Sequence, residues 1–264
     1  VNMIHAAGGL GFVIGQLLDA GLLHNDTTTV VGKGLGDYAV EATLAGQNLQ
    51  WQASPKTSPD DTIIRDHKTP FQPQGGVTFL RGNLGMAVAK ISAVAPDRQT
   101  VRAKARVFDD QASVRTAFDA GALDCDHICV VRFQGPRANG MPELHGLMPI
   151  LGVLLGRGFK VALITDGRLS GASGKVPAAI HLSPEAIDGS ALAKLRDGDM
   201  LNFDATRGVL DHEVNETVWQ ARAPVSCPQN HQSLGIGTEL FSIARTHVSD
   251  AAHGASFLQG SSYE

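Results

Sequence analysis

Apolar residues fall along the middle of this chain in short runs, each bounded by glycine, proline or charged residues. The runs at 77–80, 86–94 and 100–107 have the spacing of strands in a barrel or compact sheet. Uninterrupted apolar stretches at 128–133 and 159–164 predict buried strands. Two more strands follow at 200–203 and 209–210, entered through the turns Arg196-Asp197-Gly198-Asp199 and Arg207-Gly208. Helical spacing marks 110–120, with Ala112, Val114, Ala117 and Phe118 among charged neighbours, then the apolar 144–155, and later 213–221 and 237–248. Near the start, Ile4, Phe12, Val13, Leu17, Leu18 and Leu22 predict a helix or a broken helix, because Gly8, Gly9, Gly11 and Gly15 interrupt it. A short strand is expected at 27–31 and a helix at 37–44, opened by Gly32-Lys33-Gly34-Leu35-Gly36. Ser183-Pro184-Glu185 reads as a capped helix start. Residues 52–76 carry Pro55, Pro59, Pro70 and Pro73 and predict a boundary or crossing arm.

Two of the predicted strands empty into glycine-rich polar loops. One loop is Gly135-Pro136-Arg137-Ala138-Asn139-Gly140-Met141-Pro142-Glu143, and the other is Thr165-Asp166-Gly167-Arg168-Leu169-Ser170-Gly171-Ala172-Ser173-Gly174-Lys175. Parallel units linked by a helix place such loops at one end of a sheet, where functional residues collect. Three hydroxyls, one Arg, one Lys and one Asp within the second loop suit an anionic substrate, although a polar loop that only satisfies its own backbone has the same composition. Familiar nucleotide and hydrolase motifs do not fit. A phosphate-cradling P-loop needs Gly and Ser or Thr where Leu169 and Val176 stand, and Ser170 lacks the Gly-x-Ser-x-Gly frame of a nucleophile elbow. A dinucleotide fingerprint at residues 32–37 would need its third glycine at Asp37. Glu143, ahead of an apolar helix, has a structural explanation as a dipole-complementing carboxylate.

Composition narrows the class. With 264 residues and 43% hydrophobic content the chain is globular, and a net charge of -4 leaves no basic stripe for nucleic acid or an anionic membrane. No apolar run approaches a membrane span and no signal-peptide pattern opens the chain, so a cytoplasmic location is expected. Cys125, Cys129 and Cys227 form no disulfide framework. Cys125, His127 and Cys129 alternate and would share one face of a strand, but no fourth zinc ligand accompanies them. The helical pattern begins directly at Val1, which reads as an internal fragment.

Several segments together resemble one family. His5-Ala6-Ala7-Gly8-Gly9, Thr29-Val30-Val31-Gly32-Lys33, Leu80-Arg81-Gly82-Asn83-Leu84, Gly135 to Glu143, Thr165 to Gly171 and His181 to Ala186 occur in the order of the C-terminal part of the dihydroxy-acid/6-phosphogluconate dehydratases. Arg137-Ala138-Asn139-Gly140 and Ser170-Gly171-Ala172-Ser173-Gly174-Lys175 are similar to the 6-phosphogluconate branch rather than the dihydroxy-acid branch. The resemblance implies an α/β fold: a swivelling-type β-barrel flanked by helices, with an N-terminal helical connecting arm. Residues 1–76 would be that arm with the end of an N-terminal cluster domain, and 77–264 the barrel domain.

The resemblance also implies chemistry. Water would be removed from a phosphorylated sugar acid, 6-phosphogluconate, to give 2-keto-3-deoxy-6-phosphogluconate. A magnesium ion on Glu143 and a 4Fe-4S iron–sulfur cluster would serve as Lewis acids, the cluster being ligated by the chain's own N-terminal cluster domain, which is not in this sequence. Ser170, as an alkoxide, would be the catalytic base. Arg168, Ser173 and Lys175 are the substrate-binding candidates, with Arg168 and Lys175 placed to hold the phosphate or activate Ser170. The family implies a homodimer, and these 264 residues alone are expected to be inactive. Two alternatives are another 2,3-dihydroxy or sugar acid as substrate, and a non-catalytic domain that binds an anionic metabolite. An upstream domain with spaced cysteines and clustered carboxylates would favour the enzyme.

Overall fold

The computed structural model describes residues 1–72, 75–170, 174–228 and 235–258. The chain divides into two compact units, Val1–Gln74 and Gly75–Glu264. In the first, helices α1 (Asn2–Ala6) and α2 (Gly9–Asp19) form the broken helix that the glycine pattern predicts. Two other expectations fail here. Residues 27–31 make a turn, with the Thr29 hydroxyl donating to the Gly32 carbonyl at 2.8 Å, and Val30 and Val31 are exposed with no face to bury. Residues 37–44 form a 3-10 turn, Gly36–Tyr38, and then strand β1 (Val40–Ala45), antiparallel to β2 (Asn48–Ala53). The pairing partner downstream overrides the helical spacing, as tertiary context commonly does for short segments.

The second unit is built on a closed barrel. Its strands are β3 (Val77–Gly82), β4 (Gly85–Lys90), β5 (Thr100–Phe108), β6 (His127–Val131), β7 (Val161–Thr165), β8 (Ala178–Ser183), β9 (Met200–Asp204) and β10 (Val209–His212). They close in the order β10-β3-β4-β8-β7-β6-β5-β9. Strands β5 to β8 are mutually parallel, antiparallel pairs join β4–β8, β5–β9, β9–β10 and β3–β4, and the parallel pair β10–β3 closes a mixed α/β barrel. Helices α3 (Gln111–Asp119), α4 (Pro136–Asn139), α5 (Leu147–Gly156), α6 (Ala191–Lys194), α7 (Glu216–Gln220), α8 (Ile236–Leu240) and α9 (Ser242–His247) flank it.

Strand β5 shows why these residues close a barrel: Val101, Ala103 and Ala105 are buried while Arg102 and Lys104 are exposed. The interior alternates small Ala87, Ala89, Ala162 and Ala179 with large Leu80, Ile128, Ile164 and Phe203, the mixture that fills a narrow barrel. On the outside, Val114 of α3 and Leu147, Leu151 and Leu154 of α5 cover Cys129, Val131, Val161 and Leu163. Strands β6 and β7 are therefore buried on both faces, which explains their uninterrupted apolar sequence.

Three local readings change. Strand β8 has no sequence counterpart, because Pro177 precedes it, Ala178 and Ala179 begin it, and His181 interrupts its apolar run. Ser183 ends that strand instead of capping a helix, and only a 3-10 turn, Ala186–Asp188, follows. Helix α5 starts at Leu147, so Glu143 does not lie in its first turn. Among the described residues no helix is long and apolar enough to cross a membrane.

Candidate active site

The C-terminal ends of the four parallel strands open on one rim of the barrel, and both glycine-rich loops leave from it. Asp166 organises this rim. It follows the last residue of β7, is fully buried, and accepts backbone N–H bonds from Phe133 (3.1 Å), Gln134 (2.8 Å) and Ala186 (2.9 Å). One carboxylate thus ties the exits of β6, β7 and β8. Burial raises its pKa to about 6, against the pull of the three N–H bonds, and nearby Glu185 adds to the rise. Gly167 comes next, where an added Cβ would lie 2.7 Å from the Gln134 Cβ and 2.8 Å from the Leu144 side chain, so only glycine fits between the loops.

A second buried carboxylate, Glu185, accepts from the backbone N–H groups of Arg137 and Ala138 at the start of α4, and burial raises its pKa as well. The guanidinium of Arg137 lies between Glu185 and Asp188 and pairs with both. Gln134 and Asn139 extend the support: the Gln134 amide donates to the Asp109 carbonyl at 2.7 Å, and Asn139 donates to Gln134 Oε1 at 3.1 Å. Phe133, Met141 and His181, all at this end, have positive φ despite being non-glycine, a concentration of backbone strain typical of functional sites.

On this frame three of the predicted residues meet. Arg168 Nη1 donates to Glu143 Oε2 at 3.0 Å and its Nε to the Met141 carbonyl at 2.8 Å, while the Ser170 backbone N–H donates to Glu143 Oε1 at 2.8 Å. The two loops also pair as a short parallel bridge at Glu143 and Arg168. Glu143, expected on sequence grounds to complement a helix dipole, instead joins the loops. His181 faces this group, and burial together with the Arg168 charge keeps its pKa below the usual histidine value, so its ring is neutral at pH 7. Ser170 and Lys90 line one hollow of about 50 Å³ with Met148, Leu169 and Gly174. Lys175 is exposed, and among the described residues no hydrogen bond or ion pair joins it to Glu143 or Arg168. Ser173 lies outside the described residues.

The two groups that the resemblance implies make different demands on these donors. Glu143 offers hard carboxylate oxygens on a side chain 33% exposed, which fits a magnesium ion held by one protein carboxylate with water and substrate oxygens completing the shell. Among the described residues no group of three or more His, Cys, Asp or Glu could hold a metal ion unaided. The cysteines do not fit an iron–sulfur cluster. Cys129 is sealed under α5 with its thiol pushed up to about 12, and burial also raises that of Cys227, whereas cluster ligands are thiolates. His127 Nδ1 bonds the Cys125 carbonyl at 2.9 Å, a backbone role in place of a zinc ligand.

Sequence reasoning missed Asp166 and Glu185 as the organisers of the site. For Asp166 the available signal was an acidic residue placed between the end of a strand apolar up to Thr165 and a glycine.

Comparison with known proteins points to one family. The family described as dihydroxy-acid/6-phosphogluconate dehydratase, C-terminal, matches residues 62–255. Phosphogluconate dehydratase of Pseudomonas aeruginosa is 55% identical over 97% of this chain and 42% of its own length. The Escherichia coli K12 phosphogluconate dehydratase is 50% identical over 98% of the chain and 43% of its own length. A dihydroxy-acid dehydratase of Nocardioides is 36% identical over 84% of the chain. The chain thus spans less than half the length of the relatives it matches.

Proposed function

The chain belongs to the dihydroxy-acid/6-phosphogluconate dehydratase family, of which it carries the C-terminal domain, and from that premise we propose that it forms one half of the active site of a 6-phosphogluconate dehydratase. The reaction removes the C2 hydrogen and the C3 hydroxyl as water, and the resulting enol tautomerises to 2-keto-3-deoxy-6-phosphogluconate. Identities of 55% and 50% to phosphogluconate dehydratases, against 36% to a dihydroxy-acid dehydratase, support this substrate over a branched dihydroxy acid.

The observation that carries the reading is the Glu143 carboxylate, which accepts from Arg168 and from the Ser170 backbone at once. A hydrogen beside a carboxylate is weakly acidic, so its removal needs both a strong base and stabilisation of the enolate charge. Ser170 Oγ, as an alkoxide, takes the C2 proton. A serine hydroxyl gives up its proton only beside positive charge, which the Arg168 guanidinium two residues away would supply. Glu143 fixes the Ser170 backbone, and Asp166 and Glu185 hold the two loops so that the arrangement does not have to form during the reaction. Glu143 would also hold magnesium, which when bound supplies a Lewis acid for the substrate carboxylate. The iron–sulfur cluster of this proposal would be held outside these residues, by the N-terminal domain of a cytoplasmic homodimer.

The test uses the full-length enzyme and solvent deuterium. Wild type is expected to dehydrate 6-phosphogluconate in preference to a branched 2,3-dihydroxy acid and to exchange its C2 hydrogen. Ser170→Ala is expected to abolish exchange and turnover with substrate affinity close to normal. Near wild-type exchange in Ser170→Ala overturns the base assignment, and a preference for the branched acid overturns the substrate.

A further inference from the structure

The proposed reaction centre accounts for the carboxylate end of the substrate and leaves its phosphate without a partner. Three clefts meet around α9. The first, of about 410 Å³, is lined by Gly140, Met141, Arg168, Phe241, Arg245 and Phe257 among others. A second, of about 310 Å³, shares Gly140, Phe241 and Arg245 with it and adds Asn139 and Thr238. A third, of about 640 Å³, contains Arg137, Asp188, Glu239 and Arg245.

Charge distinguishes the three. Arg137 and Arg168 already have carboxylate partners, Asp188 with Glu185 and Glu143 respectively. Arg245 borders every cleft and donates to the Thr238 carbonyl at 2.7 Å, but among the described residues it pairs with no carboxylate. The guanidinium is half-buried and keeps donors that are not hydrogen-bonded within the described protein. In the third cleft Asp188 and Glu239 would repel an anion. The first two contain no carboxylate among their lining residues, and the first joins Arg245 to Arg168. A phosphomonoester carries close to two negative charges at pH 7, and its oxygens match the forked donors of arginine.

We propose that Arg245 is the phosphate-binding residue of the substrate site, holding the phosphomonoester of the sugar acid in the 410 Å³ cleft that Arg168 also lines. The assignment rests on the proposed reaction and moves the phosphate role away from Lys175, which lines none of the three clefts. Arg245 sets the preference for a phosphorylated over an unphosphorylated sugar acid. Met141, Phe241 and Phe257 supply apolar walls beside the carbon chain of the substrate.

The experiment compares Arg245→Gln, Arg245→Lys and Lys175→Gln with wild type in the full-length holoenzyme, each checked for an unchanged melting temperature. In Arg245→Gln, kcat/KM for 6-phosphogluconate relative to gluconate falls by about tenfold or more, mostly through KM, since a hydrogen bond to a charged group is lost. Arg245→Lys recovers part of the loss, and Lys175→Gln leaves the ratio at the wild-type value. Calorimetric binding of inorganic phosphate is read independently of turnover and weakens by a similar factor in Arg245→Gln only. If wild type turns over neither sugar acid, the reaction is refuted while the phosphate affinities still decide the site. Wild-type ratio and phosphate affinity in Arg245→Gln, or their loss in Lys175→Gln instead, overturns the proposal.

Discussion

Asp166 concentrates the physics of the site into one carboxylate, because the same burial that fixes three strand exits also disfavours its charge. Its pKa of about 6 in the folded protein lies above the ordinary aspartate value near 3.8. The native state therefore holds this proton at pH values where the unfolded chain has lost it. Stability from this group is fully present below the unfolded pKa and declines as pH rises from about 4 through about 6, by about 3 kcal/mol for a shift of this size. Denaturant melts from pH 4 to 7 should show that decline in wild type and a flatter curve in Asp166→Asn, which cannot ionise. An unchanged slope in the variant would assign the titration to other groups, of which Glu185, also raised by burial, is the first candidate. The identity of Asp166 was legible in the sequence, but its role was not. Three N–H donors from residues 20 to 33 positions away converge on it, and only the closed barrel brings them together.

At the scale of elements, strands buried on both faces by uninterrupted apolar runs announced themselves. Strands β6 and β7 were legible as apolar runs, whereas β8 was not, because it opens with two alanines, of which Ala179 faces the barrel interior, and His181 breaks its apolar run. The loops were legible as a pair because parallel strands with glycine-rich exits must share a rim. The seam between β10 and β3 was invisible in sequence. It has a single paired register, Val209 with Arg81, and is supported by Asn83 in the β3–β4 turn, whose side chain bonds the His212 backbone at 2.8 and 2.9 Å. Gly82 lies where an added Cβ would overlap the Leu210 carbonyl and Asp211 Oδ1. Gly82→Ala should therefore destabilise by about 3 kcal/mol or more, as backbone on the facing strand cannot move without opening the barrel. Gly152→Ala is the control: it lies in α5 with nothing within 4 Å of an added Cβ, and should be neutral or stabilise by up to about 1 kcal/mol. Equal effects in thermal melts of the two variants would show that the seam has no special rigidity.

For the whole molecule, folding and chemistry make separate demands on these 264 residues. The barrel unit has its own interior core and a second apolar layer under α3 and α5, so the chain contains what it needs to fold. It does not contain what a dehydration with iron–sulfur chemistry needs. Cys129 is locked under a helix as a protonated thiol, Cys125 and Cys227 are half-buried elsewhere, and the matched relatives extend over more than twice the aligned length. The 264-residue chain, purified by itself, should therefore melt cooperatively, show no visible absorbance from a cluster, contain no stoichiometric iron and leave 6-phosphogluconate unchanged. Iron analysis, a visible spectrum and a keto-acid assay check this together. Co-purified iron with turnover would mean that the cysteine geometry has been misread and that a complete reaction centre lies within the barrel. A folded, colourless and inert chain is the outcome that the proposed divided active site requires, with Glu143, Arg168 and Ser170, joined here by hydrogen bonds, as the residues this chain would contribute to it.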